Sequence, residues 1–134
     1  MSIENQIKLF LEADGYAVVG ASADRSKYGN RVLRCYQING RKVVPVNPSA
    51  VEIEGLKCVA SVSELPDSVA SISIITPPSV TEKVVELAIA KGIKNIWMQP
   101  GSQSPAAVAN CQSHGINVIA DGSCLLVVLG YHDH

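Results

Sequence analysis

The stretch AVVGASADRSKYG, residues 17–29, decides how the chain is read. A short apolar run, Ala17-Val18-Val19, stops at Gly20 and passes into small, polar and basic residues. A strand that ends at a glycine and opens into a helix is how α/β proteins build anion sites. Helix amides and the helix dipole face the ligand, and a small side chain lets it reach the backbone. Gly20, Ala21 and Ser22 are therefore the candidate phosphate-binding turn, and Arg25 and Lys27 the nearby cations available to a phosphate.

Outward from this turn, apolar spacing predicts alternating helices and strands. Ile3, Ile7, Phe10 and Leu11 mark an amphipathic helix over 3–13, stopped by Asp14-Gly15. A strand over 16–20 leads into the turn. The next helix runs from about 29 to 38, with Val32, Leu33 and Tyr36 inward and Arg31 and Arg34 on its polar face. Residues 42–46 form a second strand whose Pro45 implies an edge or an irregularity. A short strand is expected near 57–60 and a helical turn over 63–67.

Residues 72–75 form a clear strand closed by Thr76-Pro77-Pro78. Ser79 and Glu82 have capping-box spacing for a helix burying Val80, Val84, Leu87 and Ala88 and ending at Gly92. A strand over 95–99, a helix capped by Ser104 with Pro105 in its first position, and a strand over 117–120 complete the pattern. This alternation predicts an α/β fold: one three-layer domain over 1–134, with a Rossmann-like doubly wound parallel sheet. Strand order 3-2-1-4-5 would set Gly20-Ala21-Ser22 and Thr76-Pro77-Pro78 on the two lips of one crevice, where open α/β sheets bind ligands.

Composition narrows the partners. The 134 residues are 47% hydrophobic and 17% charged, enough for a single core and too apolar for disorder. A net charge of −1 argues against binding nucleic acid or an anionic membrane through bulk charge, and 4% aromatics leaves few stacking platforms. No apolar run reaches membrane-spanning length and the first twenty residues lack a signal-peptide layout, so a cytoplasmic location is expected. Cys35, Cys58, Cys111 and Cys124 show no CxxC pair or zinc-like spacing and read as reduced, mostly buried thiols. No metal is expected: His132-Asp133-His134 reads as a mobile tail. Trp97 reads as core, and His114 as the end of a helix.

The nucleotide class follows from what the turn lacks. Counting from Gly20, the second and third glycines of G-x-G-x-x-G are Ser22 and Arg25. The carboxylate that an NAD site places after the second strand is replaced by Asn47-Pro48. No G-x-x-x-x-G-K-[ST] is present, so a P-loop is excluded. Arg25, Lys27, Arg41 and Lys42 instead favour a ligand rich in phosphate.

VVGAS at 18–22, VVPVNP at 43–48, EGLKCVASVSELP at 54–66, ITPPSV at 75–80 and IWMQPG at 96–101 resemble the small CoA-binding protein family. That family is similar in fold to the CoA-binding domain of the succinyl-CoA synthetase α subunit. The resemblance covers about residues 14–121 and implies a Rossmann-like domain that binds coenzyme A by its nucleotide end. It implies that Gly20-Ala21-Ser22 take the diphosphate, that Lys42 meets a phosphate, and that Asn47 and Pro48 edge the adenosine pocket. Thr76, Pro77 and Pro78 would form a rigid lip, and Met98, Gln99 and Pro100 would line the CoA channel. Asp121-Gly122-Ser123-Cys124 departs from the Asp-Arg-Cys of many small members. The histidine phosphorylated in the synthetase belongs to a domain without counterpart here.

No catalytic constellation emerges: there is no G-x-S-x-G elbow, no Cys/His pairing and no facing pair of carboxylates. The residues favour a non-enzymatic role without deciding it. The leading expectation is a CoA or acyl-CoA carrier, sensor or regulatory module. The alternatives are an NADP-dependent oxidoreductase domain and a regulatory subunit of an acyl-CoA ligase. The apolar residues 125–129 would cover either a protein partner, a second copy in a homodimer, or the chain's own core.

Overall fold

Seven strands arise in chain order: β1 (Gly15–Val19), β2 (Val43–Val46), β3 (Glu52–Ile53), β4 (Leu56–Lys57), β5 (Val69–Ile74), β6 (Asn95–Met98) and β7 (Asn117–Ile119). They are seen in a computed structural model that describes residues 1–131; His132-Asp133-His134 lie outside the described residues. β3 and β4 pair as a small antiparallel hairpin, and the others form one sheet in the order β2-β1-β5-β6-β7. Every pairing in that sheet is parallel. The strand expected near 57–60 shrinks to a single parallel bridge between Val46 and Val59 outside β2. With Val59 counted as the third position, the expected order holds.

Helices α1 (Ile3–Phe10), α2 (Tyr28–Ile38), α3 (Pro78–Lys91), α4 (Pro105–Ser113) and α5 (Leu125–Val128) cover both faces of the sheet. Alternation along β1 shows how the layers are built. Tyr16 and Val18 join Phe10 of α1, Val32 and Leu33 of α2 and Leu125 of α5 in one cluster. Ala17 and Val19 join Val84 and Val85 of α3 and Ala107 and Cys111 of α4 in the other. Trp97 is core, as expected; Phe10 meets its ring edge-on with centroids 5.3 Å apart, and its indole N–H donates to Ser123 O at 2.9 Å. Leu125 is fully buried on its own chain, while Val127 remains 79% exposed.

The capping box at Ser79 is not formed. α3 starts at Pro78, whose missing N–H costs nothing in a first turn and whose φ is already helical. Ser79 is thereby inside the helix. Thr81 is buried and its hydroxyl lies 2.7 Å from that of Thr76, while Glu82 accepts a 2.7 Å hydrogen bond from Ser104, the N-cap of α4. The buried stripe turns accordingly. Val84 and Ala88 are buried as expected, whereas Val80 and Leu87 stay exposed. Arg34 also departs from its expected solvent face: it is buried, and its Nε donates to Asn30 Oδ1 at 2.7 Å.

Two glycines let β1, β5 and α2 converge. Gly20 has φ +95°, and a Cβ there would sit 2.1 Å from the carbonyl oxygen of Ile75. A Cβ on Gly29 would sit 2.2 Å from the carbonyl oxygen of Gly20. Both neighbours are backbone, which cannot turn aside as a side chain can. Gly29→Ala is expected to lower stability by about 3 kcal/mol or more through overpacking. Gly40→Ala, with φ +68° and nothing within 4 Å of the added carbon, should cost only about 1 kcal/mol. Urea denaturation of both variants checks the contrast; equal losses would refute it.

Burial also separates the thiols. Cys35 and Cys111 are fully buried, and desolvation pushes each from 9.0 up to about 11, while Cys58 and Cys124 are half-buried. At pH 8 this lowers the thiolate fraction of Cys35 and Cys111 about a hundredfold. Iodoacetamide labelling at pH 8 should therefore modify Cys124 and Cys58 first, with Cys35 and Cys111 reacting only after unfolding.

Candidate functional site

β1 is the strand at which the sheet order reverses, with β2 on one side and β5 on the other. The C-terminal ends of β1 and β5 therefore open a crevice. Gly20 follows β1, and Thr76 follows β5; the Ile75 N–H donates to Val19 O at 2.8 Å and holds the two lips together. An apolar slot of about 280 Å³ lies here. It is lined by Val19, Gly20 and Ala21 at the end of β1, by Pro48 and Val62, and by Val80, Val84 and Leu87 of α3. The exposure of Val80 and Leu87 thus has a local reason: they line the slot.

The turn beside the slot is ordered by its own hydrogen bonds. The Ser22 hydroxyl accepts from Asp24 N–H at 3.1 Å, and Asp24 Oδ1 accepts from Ser26 N–H at 2.9 Å. The Ser26 hydroxyl, 2.7 Å from Asp24 Oδ1, and then the Ser26 N–H hold the Asp24 carboxyl below the usual range. α2 then begins at Tyr28 with Lys27 as N-cap, without a side-chain cap and without an acid in its first turn. Asn30 N–H already bonds Lys27 O at 3.2 Å, and the positive end of the α2 dipole faces the turn ahead of Tyr28 and Gly29. Lys27 is exposed beside them.

Asn47 lines the slot, but its polar atoms are already engaged. Nδ2 donates to Ala21 O at 2.9 Å, and Oδ1 accepts from Ser49 and Ala50 N–H at 2.7 and 2.9 Å. It fastens the end of β2 to the Gly20–Ser22 turn and offers no acceptor pair for ribose hydroxyls. Thr76 is similarly tied, its N–H donating to Ser102 Oγ at 3.1 Å. Pro77 and Pro78 are exposed at the start of α3, on the lip beyond Thr76.

Four other expected residues are not brought to the slot. Lys42 precedes β2 and lies at the opposite, N-terminal edge of the sheet, beside Asp14, Gly15 and Ser68. A four-residue parallel strand of about 3.3 Å per residue separates it from the crevice. Met98 is fully buried in the core beneath α3 and α4, and Pro100 is exposed in the loop after β6. Gln99 is fully buried and spent on internal bonds. It accepts from Tyr28 Oη at 3.1 Å and Leu125 N–H at 3.0 Å, and donates to Ser73 Oγ at 3.3 Å. Tyr28 Oη also lies 2.7 Å from Cys124 Sγ, and burial pushes the phenol well above its ordinary range.

Three residues absent from the sequence-based set emerge instead. Gly29 permits α2 to start against the turn. Asn30, fully buried, donates both to Ser22 O at 2.9 Å and to Glu54 Oε2 at 3.1 Å. Glu54 reaches from the β3–β4 hairpin to Arg25, whose Nε is 3.3 Å from Oε2. A glycine nine residues after Gly20 was a legible signal for the first. Nothing in the local pattern marked the others. Among the described residues no cluster of three or more His, Cys, Asp or Glu could hold a metal ion, and no helix is long and apolar enough to cross a membrane.

Comparison with known proteins agrees with this geometry. The chain is 34% identical over 88 residues to the α subunit of an ADP-forming acetate–CoA ligase II of Pyrococcus furiosus, a match covering 65% of this chain and 19% of that protein. The chain spans less than a fifth of the length of the curated ligases it first matches. Among solved structures, a conserved hypothetical protein from Pyrococcus furiosus is 40% identical with a TM-score of 0.81, over 85% of this chain and 97% of that one. A hypothetical protein from Pyrococcus horikoshii superposes with a TM-score of 0.88 at 29% identity, over 95% of this chain and 89% of that one. The CoA binding domain family matches residues 14–129, which is nearly all of the sheet and its helices, and the chain belongs to that family.

Proposed function

We propose that the chain binds coenzyme A, or an acyl-CoA, by its nucleotide end and acts as a non-catalytic carrier, sensor or regulatory module. One observation carries the reading: an apolar slot opens directly beside a glycine turn and an uncapped helix N-terminus at the reversal of the sheet. The slot suits a purine face packed between Val62 and Pro48 on one side and Val80 and Leu87 on the other. Gly20, Ala21, Ser22 and the first amides of α2 would take the diphosphate, with Arg25 and Lys27 supplying countercharge. Membership of the CoA binding domain family supports the ligand class.

An NADP-dependent oxidoreductase is less well supported, because Asn47, which follows the second strand where such a site uses an acceptor for the ribose, is consumed by internal hydrogen bonds. Ligase chemistry is not carried over, since the chain covers so small a part of the ligases it resembles. The role left for the domain is recognition. A cytoplasmic setting and association with a protein partner or a second copy belong to this proposal as well.

Thermal unfolding against CoA, acetyl-CoA, succinyl-CoA, dephospho-CoA, NAD, NADP and ATP tests it. CoA at a hundred times its Kd should stabilise the fold by about 2.7 kcal/mol, with a smaller shift from dephospho-CoA. A shift with NADP alone would replace this reading by an oxidoreductase. Val80→Asp, at an exposed position, should leave the unliganded melting temperature nearly unchanged. It should weaken CoA binding about tenfold, roughly 1.4 kcal/mol, by putting a carboxylate in the apolar wall.

A further inference from the structure

Glu54 occupies an unfavourable backbone position for its residue type. It has φ +51°, followed by Gly55 at +77°, in the two-residue turn of the β3–β4 hairpin. Glycine, asparagine and aspartate are the residues that such a turn favours. Among the described residues Glu54 is the only non-glycine with positive φ. Strain of this kind persists where something else uses the side chain.

The side chain is used across the mouth of the phosphate turn. Its carboxylate accepts from Asn30 Nδ2 at 3.1 Å and from Arg25, at 3.3 Å from Nε and 3.4 Å from Nη2. Arg34 faces the same group through Asn30, and its Nη2 donates to Arg25 O at 3.2 Å. Gln37 Nε2 holds the Glu54 carbonyl at 3.1 Å. The same Asn30 amide bonds Ser22 O, so one nitrogen joins the carboxylate to the turn offered to phosphate. The Arg25 side chain is 63% exposed, so an incoming anion can reach it from solvent.

We propose that Glu54 is an internal competitor for the ligand's phosphate, holding Arg25 across the turn in the unliganded protein and yielding it when a phosphate binds at Gly20–Ser22. The inference rests on the phosphate-turn reading above and deepens it. A diphosphate carries at least two negative charges against one on the carboxylate and adds contacts to the turn, so it wins Arg25. The exchange is the cost that sets its affinity. Weakly charged anions would not displace Glu54, which makes the pair a filter on ligand charge. The Asn30 hydrogen bond and Arg25 together hold the Glu54 carboxyl low, so loss of Arg25 to a ligand must raise its titration midpoint.

Calorimetric titration of CoA, and separately of inorganic pyrophosphate, into wild type, Glu54→Gln, Arg25→Gln and the double variant tests the exchange. Glu54→Gln should bind about two- to fivefold tighter, the worth of one partly exposed ion pair. Arg25→Gln should cost more affinity in the Glu54→Gln background than in wild type. Weaker binding by Glu54→Gln, or an equal Arg25→Gln cost in both backgrounds, would overturn the proposal and leave Glu54 as a clamp on the hairpin. In unmodified protein, the NMR titration midpoint of the Glu54 carboxyl should rise on saturation with either anion, and a midpoint that stays put overturns it equally. Should CoA fail to bind while pyrophosphate gives the full pattern, the exchange stands and the CoA reading falls. Should neither bind, both fall.

Discussion

The contact between backbone atoms at Gly20 is the constraint from which the site is built. The Ile75 carbonyl presses on Gly20 from β5, and the Gly20 carbonyl presses on Gly29 from β1, at separations that leave no room for a side-chain carbon. β1, the helix α2 that follows it and the distant strand β5 are thus brought to one point. The result is a crevice whose turn is held in place by backbone packing. Its apolar wall and its phosphate turn are adjacent because β1 feeds the turn while α3 and the 3-10 turn at Val62–Glu64 flank the same strand end.

The fold was largely legible because it rests on repeated local signals. Apolar runs broken by Gly20, Asn39-Gly40, Gly92 and Gly115 delimit the strands and helices, and a proline in β2 marks an edge. The errors lie where two rules compete. Ser79 and Glu82 have the capping spacing, but Pro78 begins the helix ahead of them, and Glu82 serves a different helix. Lys42 matches a family lysine by local resemblance, yet it stands before its strand, so the parallel sheet carries it to the wrong edge. Asn30 and Glu54 could not be read at all. Their roles depend on a hairpin folding back over α2, a long-range event with no local periodicity.

Polar residues around the crevice divide into those that shape it and those left to meet a ligand. Asn47, Thr76, Gln99 and Asn30 have their hydrogen-bonding capacity met within the protein. Buried amides in this state rigidify the walls and would be costly to redirect. On the function proposed above, recognition falls to backbone N–H groups, the α2 dipole and the exposed cations Arg25 and Lys27, which read charge and shape more than the hydrogen-bonding pattern of a ribose.

Pro45 has a consequence for how the sheet meets other chains. Its carbonyl is taken by Val59 N–H at 3.1 Å, and Asn47 N–H donates to Val59 O at 2.9 Å. Between those bonds the strand presents a pyrrolidine ring where a donor would otherwise point outward. An unprotected parallel edge is a template on which foreign strands add and aggregates grow. Here one proline and one bridging valine use up that template over residues 45–47, so the β2 margin of the sheet is closed to a further strand along that stretch.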